Sequence, residues 1–219
     1  MKSKSFNLIS NFEKFNIRSN FIFSALNLAF IAYFFLGLIK PSNNLYLWCD
    51  GIFGKIHSKK KKIPGSKFIT LFFNYRFSKI IVMGNYSKKQ NQYLKKKFKT
   101  KVNFIKLPII KGNNLKKFVP KLDNNSLVLI TLPTPKQEIL AKEIKKNNKN
   151  FKIICIGGGL SIASGETKQC PKMLQSLGLE FVWRLNTDPW RRIKRLSQTL
   201  FIYILNLHKI KKKLKINNI

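Results

Sequence analysis

The sequence predicts an α/β fold in which helices cover a parallel β-sheet. Short apolar runs of strand length alternate with lysine-rich segments of helix length. Gly, Asn or Pro follows several of the apolar runs, as is typical where a strand turns into a helix. The chain has 219 residues, 44% of them hydrophobic, which suits the core of one such domain.

The predicted elements follow one another as repeated βαβ units require. Strands are predicted at 45–49, 78–83, 102–107, 126–131 and 151–156. One helix is predicted at about 88–98, after the turn Gly84-Asn85, and another after 133–137, running through 146. The sequence shows no internal repeat.

One uncharged apolar run, 21–39, is predicted as a single helix. At 1.5 Å per residue it would extend about 28 Å, enough to cross the hydrocarbon core of a bilayer. Basic residues flank it on both sides, so the positive-inside rule gives no orientation. Ser24, Asn27 and Gly37 suit a core or membrane-surface helix better, and this is our prediction, with a single spanning helix at 21–39 left open.

The charge balance is strongly basic, with 43 Lys and Arg against 8 Asp and Glu and a net charge of +35. Such a charge favours a polyanionic partner: nucleic acid, anionic lipid or a phosphorylated substrate. AT-rich codon bias is an alternative, but it explains the excess of lysine better than the scarcity of glutamate. We therefore interpret the positive charge as due partly to codon bias and partly to a polyanionic partner.

The chain after residue 190 differs in composition from the rest. It is rich in Lys and Arg, contains no acid and has an apolar centre at 200–207. That centre is too short to span a bilayer, but it suits an interfacial helix. We therefore predict a core at 1–190 and a membrane-associating appendage at 191–219. The alternative is a final helix packed on the domain.

Several chemistries are excluded by composition. Cys49, Cys155 and Cys170 are not spaced for a disulfide scaffold or a zinc finger, which points to a reducing compartment. No Asp-x-Asp occurs, so the usual carboxylate clamp for a metal-bound nucleotide is lacking. His57 and His208 are isolated and are predicted to lie on the surface. We expect neither a metal nor a cofactor.

Asp50 is the first candidate for a site residue. It ends an apolar strand and precedes Gly51. Ligands of open α/β sheets bind at the carboxyl ends of the strands, where a carboxylate can serve as general base. The alternative is an Asx-type turn, since Asp-Gly is a common turn pair.

A second candidate is the turn Gly157, Gly158 and Gly159, which follows a strand. Its backbone N–H groups are candidates for binding a phosphate. The turn does not complete G-x-G-x-x-G, because Ser161 and Ile162 follow. The glycines alternatively serve only to allow a tight turn.

A third candidate is the segment that contains Gln137 and Glu138, which also follows a strand. The Gln137 side chain can both donate and accept hydrogen bonds. Glu138 falls in a first helical turn, where negative charge is favourable. Capping of the helix is the alternative role for Glu138.

Taken in order, these segments resemble one family. The matching segments are 135–138, 157–159, 178–181, 183–185 and 188–189, with Asp50-Gly51 upstream. Together they resemble the WecG/TagA/CpsF glycosyltransferases (glycosyltransferase family 26). The resemblance covers about residues 50–195 and implies a Rossmann-like α/β glycosyltransferase core with a basic amphipathic C-terminal appendage.

The resemblance implies inverting, metal-independent transfer of an N-acetylmannosamine-type sugar. The donor would be a UDP-sugar and the acceptor a polyprenyl-diphosphate-linked sugar at the cytoplasmic face of the membrane. By carry-over Asp50 is the general base. The expected donor site is formed by Gly157, Gly158, Gly159, Gln137, Glu138 and Ser161. The expected cations for diphosphate or acceptor are Arg184, Arg191 and Arg192.

Some positions depart from the family pattern. Ser161 replaces an Asp, Gln169 replaces an Arg, and Phe181 replaces a Trp. The central glycine pair is reduced to Gly84-Asn85, and the Thr-x-Asn segment is best matched by Ser19-Asn20. A degenerate member that binds the lipid carrier without transferring sugar is therefore an alternative.

A nucleic-acid-binding protein is the alternative from another class. The charge favours it, but RNP, KH and helix-turn-helix motifs are lacking, and the aromatic residues fall in apolar runs. We therefore do not expect nucleic acid as a partner. The partners that we expect are the UDP-sugar, the lipid-linked acceptor and an anionic membrane surface, with homo-oligomerisation left open.

Overall fold

The structure is a computed structural model that describes residues 5–108, 115, 117–176, 180–185 and 189–219. Its strands are β1 (Phe6–Leu8), β2 (Phe21–Leu26), β3 (Leu45–Cys49), β4 (Lys79–Gly84), β5 (Val102–Lys106), β6 (Ser126–Ile130), β7 (Lys152–Cys155) and β8 (Ile216–Asn218). Its α-helices are α1 (Leu28–Phe35), α2 (Gly51–Ser58), α3 (Gly65–Phe68), α4 (Lys88–Phe98), α5 (Lys136–Asn147), α6 (Gly159–Ala163), α7 (Lys172–Ser176), α8 (Glu180–Leu185), α9 (Pro189–Leu205) and α10 (Leu207–Lys213). A 3₁₀ turn, Ile69–Phe72, follows α3.

All of these strands belong to one eight-stranded sheet in the order β5-β4-β6-β7-β2-β3-β1-β8. Every pairing between neighbouring strands is parallel. Every residue of β2, β6 and β7 is buried, as expected for central strands with helices on both faces. The α/β class predicted from the sequence is confirmed.

Alternate residues of each strand enter two separate hydrophobic clusters, one on each face of the sheet. Ile81 and Val128 belong to the cluster that α1, α5 and α9 cover. Their neighbours Ile80 and Leu127 belong to the cluster that α3, α4 and α6 cover. The two clusters lie on the faces of the sheet. Its carboxyl edge, where the strands end, is formed by other residues.

The single helix predicted at 21–39 is wrong. The first part of this run is the buried strand β2, and only the second part is helical, as α1. Asn27 separates the two, and its side chain accepts a hydrogen bond from the N–H of Phe30 at 3.1 Å. A strand buried on both faces is as uniformly apolar as a buried helix, so composition did not distinguish them. Within the described residues, no helix is long and apolar enough to cross a membrane.

Other elements agree with the sequence prediction to within one or two residues. The helix predicted at 88–98 is α4, with Ser87 as N-cap; the Ser87 hydroxyl accepts from the N–H of Gln90 at 3.2 Å. At its C-terminus Lys99 adopts a left-handed conformation with φ 49°. The lysine-rich character of α4 thus fits its exposed face, and its buried face is formed by Gln90, Leu94 and Phe98.

The C-terminal segment packs on the sheet domain. Thr199 and Tyr203 of α9 are buried, and α9 lies against α1. At the end of the chain β8 pairs with β1 at the edge of the sheet, and the N–H of Ile219 donates to the Leu8 carbonyl at 2.9 Å. The division of the chain at residue 190 stays a prediction. Part of the segment after it contributes directly to the core.

Candidate active site

The carboxyl edge of the sheet gathers the polar residues that follow its strands. Asn27 follows β2, Asp50 follows β3, Thr131 follows β6 and Gly157 follows β7. Because all strands are parallel, these residues meet at one edge, the usual ligand-binding edge of α/β proteins.

Asp50 lies at this edge, as predicted, and is half-buried. Its N–H donates to the Leu26 carbonyl at 3.2 Å, which joins the ends of β3 and β2. Asp50 is the N-cap residue of α2, but its side chain accepts no capping hydrogen bond within that described helix. Gly51 has φ +69°, a conformation that favours glycine. The backbone therefore makes the turn, and helix capping does not account for the Asp50 carboxylate.

Helix α2 is pressed against the same edge. A Cβ on Gly54 would lie 2.2 Å from the Leu26 carbonyl oxygen, so only glycine permits this approach. The contact fixes α2 over the end of β2 and holds its first residue, next to Asp50, in place.

A cavity of about 110 Å³ opens beside this edge. We call it the edge cavity. The predicted site residues Gly158, Ser161 and Arg192 line it, together with Ser66 and Gln169. The structure therefore brings together a glycine of the Gly-rich turn, two positions that depart from the family pattern (Ser161 and Gln169) and an arginine of α9. Arg191 is exposed on α9, and the Arg184 side chain lies outside the described residues.

The edge cavity is connected to Asp50 through the segment between α2 and α3. The N–H of Ile63 donates to the carbonyl of Cys49 at 2.8 Å, directly before Asp50. The next residue, Pro64, lines the edge cavity. One hydrogen bond and one peptide unit thus separate the end of β3 from the cavity wall.

The Gly-rich turn is explained largely by backbone geometry. Gly157 has φ +53°, and its N–H donates to the Ile130 carbonyl at 3.1 Å. The N–H of Gly159 donates to the Ile156 carbonyl at 3.0 Å, and a Cβ there would lie 3.0 Å from the backbone of Gly65. Because both N–H groups already donate to backbone carbonyls, the structure does not support the prediction that Gly157 and Gly159 present them to a phosphate. Gly158, exposed and lining the edge cavity, keeps its candidate role.

Gln137 and Glu138 are buried and belong to a polar network behind the edge. Oε1 of Glu138 accepts from Ser24 Oγ at 2.7 Å, Gln137 Nε2 at 2.8 Å and Thr134 Oγ1 at 3.2 Å. Burial raises the pKa of Glu138, and these hydrogen bonds oppose the shift. Neither residue is among the described residues that line the edge cavity. The network joins β2 to α5, a role that the sequence did not indicate.

Arg195 is a residue that the sequence analysis missed. It lies on α9, and its Nη2 donates to the Thr134 carbonyl at 3.0 Å. Burial lowers the pKa of the Arg195 guanidinium, and the charge of Glu138 acts in the opposite direction. Arg195 lies one helical turn after Arg191 and Arg192, and this spacing could have indicated from the sequence that the three arginines share one side of a helix.

Ser161 is held by α4, a second contact that the sequence did not indicate. Gln90 Nε2 donates to Ser161 Oγ at 3.0 Å and also to the carboxylate of Glu166. Lys89 Nζ donates to the Gly165 carbonyl at 2.8 Å. The start of α4 thereby fixes the loop that follows α6 beside the edge cavity.

An ion pair closes the other side of the edge cavity. Lys62 Nζ lies 2.5 Å from Glu180 Oε1 and 2.6 Å from the Gln175 carbonyl. Both side chains are only partly exposed, so the pair is screened less than a surface pair. It ties the segment before α3 to α7 and α8.

Two further sequence predictions are corrected. Asn20 lies before β2, at the amino edge, where its side chain bonds the Lys149 carbonyl and the Phe151 N–H at 2.9 Å each. Ser19-Asn20 therefore lies at the edge of the sheet opposite to Asp50. His57 is half-buried, not on the surface; its Nε2 lies 2.9 Å from the Tyr203 hydroxyl. His208 is exposed, as predicted.

A parallel α/β sheet with a cavity beside its carboxyl edge belongs to the class of α/β proteins that bind ligands at this edge. Residues 56–217 match the family model of the glycosyl transferase WecG/TagA/CpsF family. The match covers most of the chain, so the chain belongs to this family and is a glycosyltransferase of cell-surface glycan synthesis. The family resemblance predicted from the sequence is confirmed. The matched residues begin after Asp50, so the match does not cover it, and its role as general base stays a prediction.

Proposed function

We propose that the protein transfers an N-acetylmannosamine-type sugar from a UDP donor to a polyprenyl-diphosphate-linked sugar at the cytoplasmic membrane face. The observation that carries the proposal is the position of Asp50. The half-buried Asp50 stands at the carboxyl edge in a chain of this family. The carbonyl of Cys49, the residue before it, accepts a hydrogen bond from the N–H of Ile63, the residue before Pro64 of the cavity wall.

In this proposal the edge cavity, at about 110 Å³, receives the diphosphate group of the donor rather than the whole nucleotide. Arg192 supplies positive charge, while Ser161 and Gly158 supply polar groups of the cavity wall. The leaving group of a UDP-sugar is a diphosphate whose charge rises as the glycosidic bond breaks, and fixed cations stabilise that charge. Arg191 and Arg184, on the two helices next to the cavity, are proposed as further cations for the diphosphate or the acceptor.

Asp50 is proposed to act on the acceptor. As the acceptor oxygen attacks C1 of the sugar, its proton passes to the Asp50 carboxylate. The bond between C1 and the UDP oxygen breaks at the same time, and UDP leaves with the electron pair. One displacement inverts the configuration at C1. The protein groups named here supply the charge and the base, so the proposal assigns no step to a metal.

The test is release of UDP from a panel of UDP-sugars, with and without a polyprenyl-diphosphate-linked sugar. Acceptor-dependent release with UDP-N-acetylmannosamine is the expected result. Binding of UDP without release from any donor would point to a degenerate site around Ser161 and Gln169. If UDP gives no protection against thermal unfolding at high salt, the proposal fails, and the basic surface is better explained by nucleic acid.

A further inference from the structure

Helix α2 exposes two large apolar side chains. Ile52 is 46% exposed and Ile56 is 55% exposed. They are four residues apart, so they share one face of the helix. The opposite face is held by buried Gly54 and Ser58. The packing of this eight-residue helix on the domain uses Gly54 and Ser58 and does not bury the two isoleucines. Exposed apolar side chains that lie together are typical of an interaction surface.

This helix is joined to α9. The rings of Phe53 and Tyr203 lie 4.9 Å apart, edge to face, and His57 Nε2 lies 2.9 Å from the Tyr203 hydroxyl. Close to Tyr203, which is buried, Phe201 and Ile204 of α9 are exposed. The two helices therefore form one unit, and each presents apolar side chains to the outside.

Apart from Asp50, the N-cap residue of α2, the charged residues around these apolar side chains are positive. Lys55 and Lys59 are exposed on and just after α2, and Lys194 is exposed on α9. The sequence contains no Asp or Glu at 51–122 or at 189–219. Lys55 lies next to Ile56 and one turn after Ile52. Lysine is depleted at the centre of protein–protein interfaces, so this mixture fits a lipid surface better than a protein partner.

From this arrangement we infer that α2 is a membrane-contacting element in its own right, which docks with α9 on an anionic bilayer surface. The inference rests on the proposed function only in that the acceptor is lipid-linked. Ile52 and Ile56 enter the boundary between headgroups and acyl chains, and the lysines meet anionic headgroups. Because α2 begins directly after Asp50, docking brings the carboxyl edge of the sheet to the level of a lipid-linked diphosphate.

The test is co-sedimentation of the full chain with phosphatidylglycerol/phosphatidylcholine vesicles, comparing wild type with the double variant Ile52→Ser, Ile56→Ser. We expect vesicle affinity to fall about tenfold or more, because two apolar side chains no longer insert. The matched control is Leu36→Ser, Leu38→Ser, in which side chains that are 52% and 50% exposed at the end of α1 are replaced. The control is expected to bind like wild type, and thermal unfolding checks that both variants are folded.

Wild-type affinity in the α2 variant would overturn the inference, as would an equal loss in the control. A change in oligomeric state with vesicle binding unaltered would also overturn it, because a second copy of the chain would then cover this face. UDP protection and transfer to a water-soluble short-chain acceptor are measured in the same variant and are expected to stay at wild-type level. If wild type shows no transfer while the difference in vesicle binding persists, the proposed function fails and the docking surface stands.

Discussion

Gly54 lies against the end of β2 and Gly158 lines the edge cavity, and the two glycines differ in what surrounds them. A side chain on Gly54 would meet the Leu26 carbonyl, whereas nothing lies within 4 Å of a Cβ on Gly158. We expect Gly54→Ala to destabilise the protein by about 2 kcal/mol or more, because the clash outweighs the roughly 1 kcal/mol that Ala gains in a helix. Chemical denaturation measures the difference.

Gly158→Ala is the matched control, and its stability is expected to stay within about 0.5 kcal/mol of wild type. Gly158→Ala also tests the role of the edge cavity. The added methyl group lies at the cavity wall and is expected to weaken UDP binding. Equal stability of the Gly54 and Gly158 variants would contradict the close contact between α2 and the end of β2.

The buried Glu138 network makes a second prediction. Glu138→Ala leaves the donors of Ser24, Gln137 and Thr134 without their shared acceptor. We expect a loss of about 3 kcal/mol in the free energy of unfolding, because unpaired buried donors are costly. Glu13→Ala is the control: Glu13 is exposed, and its replacement is expected to cost less than about 0.5 kcal/mol. Similar losses in the two variants would contradict the network.

Single residues show where sequence reasoning stops. The position of Asp50 at the carboxyl edge could be predicted, because an acid between an apolar strand and a glycine is visible in the sequence itself. The Glu138 network and Arg195 were not found, because Ser24 and Glu138 are 114 positions apart and Arg195 is 61 positions from Thr134. Their proximity depends on the order of strands in the sheet, which the sequence did not provide.

At the scale of elements, we expect the contact between α2 and α9 to weaken at low pH. Burial lowers the pKa of His57 from its ordinary value of 6.5, and burial raises the pKa of Tyr203, so both groups are neutral at pH 7. A lowered histidine pKa means that the folded state binds the proton less well than the unfolded chain. His57 therefore contributes full stability above about pH 6.5, and this contribution is lost as the pH falls through its folded pKa.

We expect wild type to lose more stability than His57→Gln when the pH is lowered from 7 to 5. Glutamine can keep a hydrogen bond to Tyr203 but does not titrate. Thermal unfolding of both proteins across this range gives the difference. Parallel curves for the two proteins would show that His57 is not held in its neutral form.

The bounds of a helix were predicted correctly where the sequence contains a capping residue and a polar face. The buried strand β2 has no polar face, and it was predicted wrongly as a helix. The helix α4 has an N-cap serine and a lysine-rich exposed face, and its predicted bounds were correct. The run 21–39 was predicted as one helix, although Asn27 within it caps only the second half. In a parallel sheet the central strand has no polar face, so periodicity is lost where burial is complete.

At the scale of the whole molecule, the two ends of the chain lie together. β8 extends the sheet beyond β1, and α9 covers α1. Removal of residues 191–219 would therefore uncover core as well as any lipid-binding surface, which is why the membrane experiments use point variants. The basic composition of this segment was visible in the sequence, but its pairing with the N-terminus was not.

The central claim is that Asp50 is the base of an active site at the carboxyl edge of the sheet. The most direct measurement compares Asp50→Asn with wild type in acceptor-dependent transfer and in UDP binding. Asp123→Asn serves as control, since Asp123 is exposed and makes only a long ion pair with Lys79. We predict that transfer falls about 10²- to 10⁴-fold in the Asp50 variant while UDP binding stays near wild type, because a base acts on the acceptor. A parallel loss of UDP binding, or transfer at the level of the control, would contradict the claim.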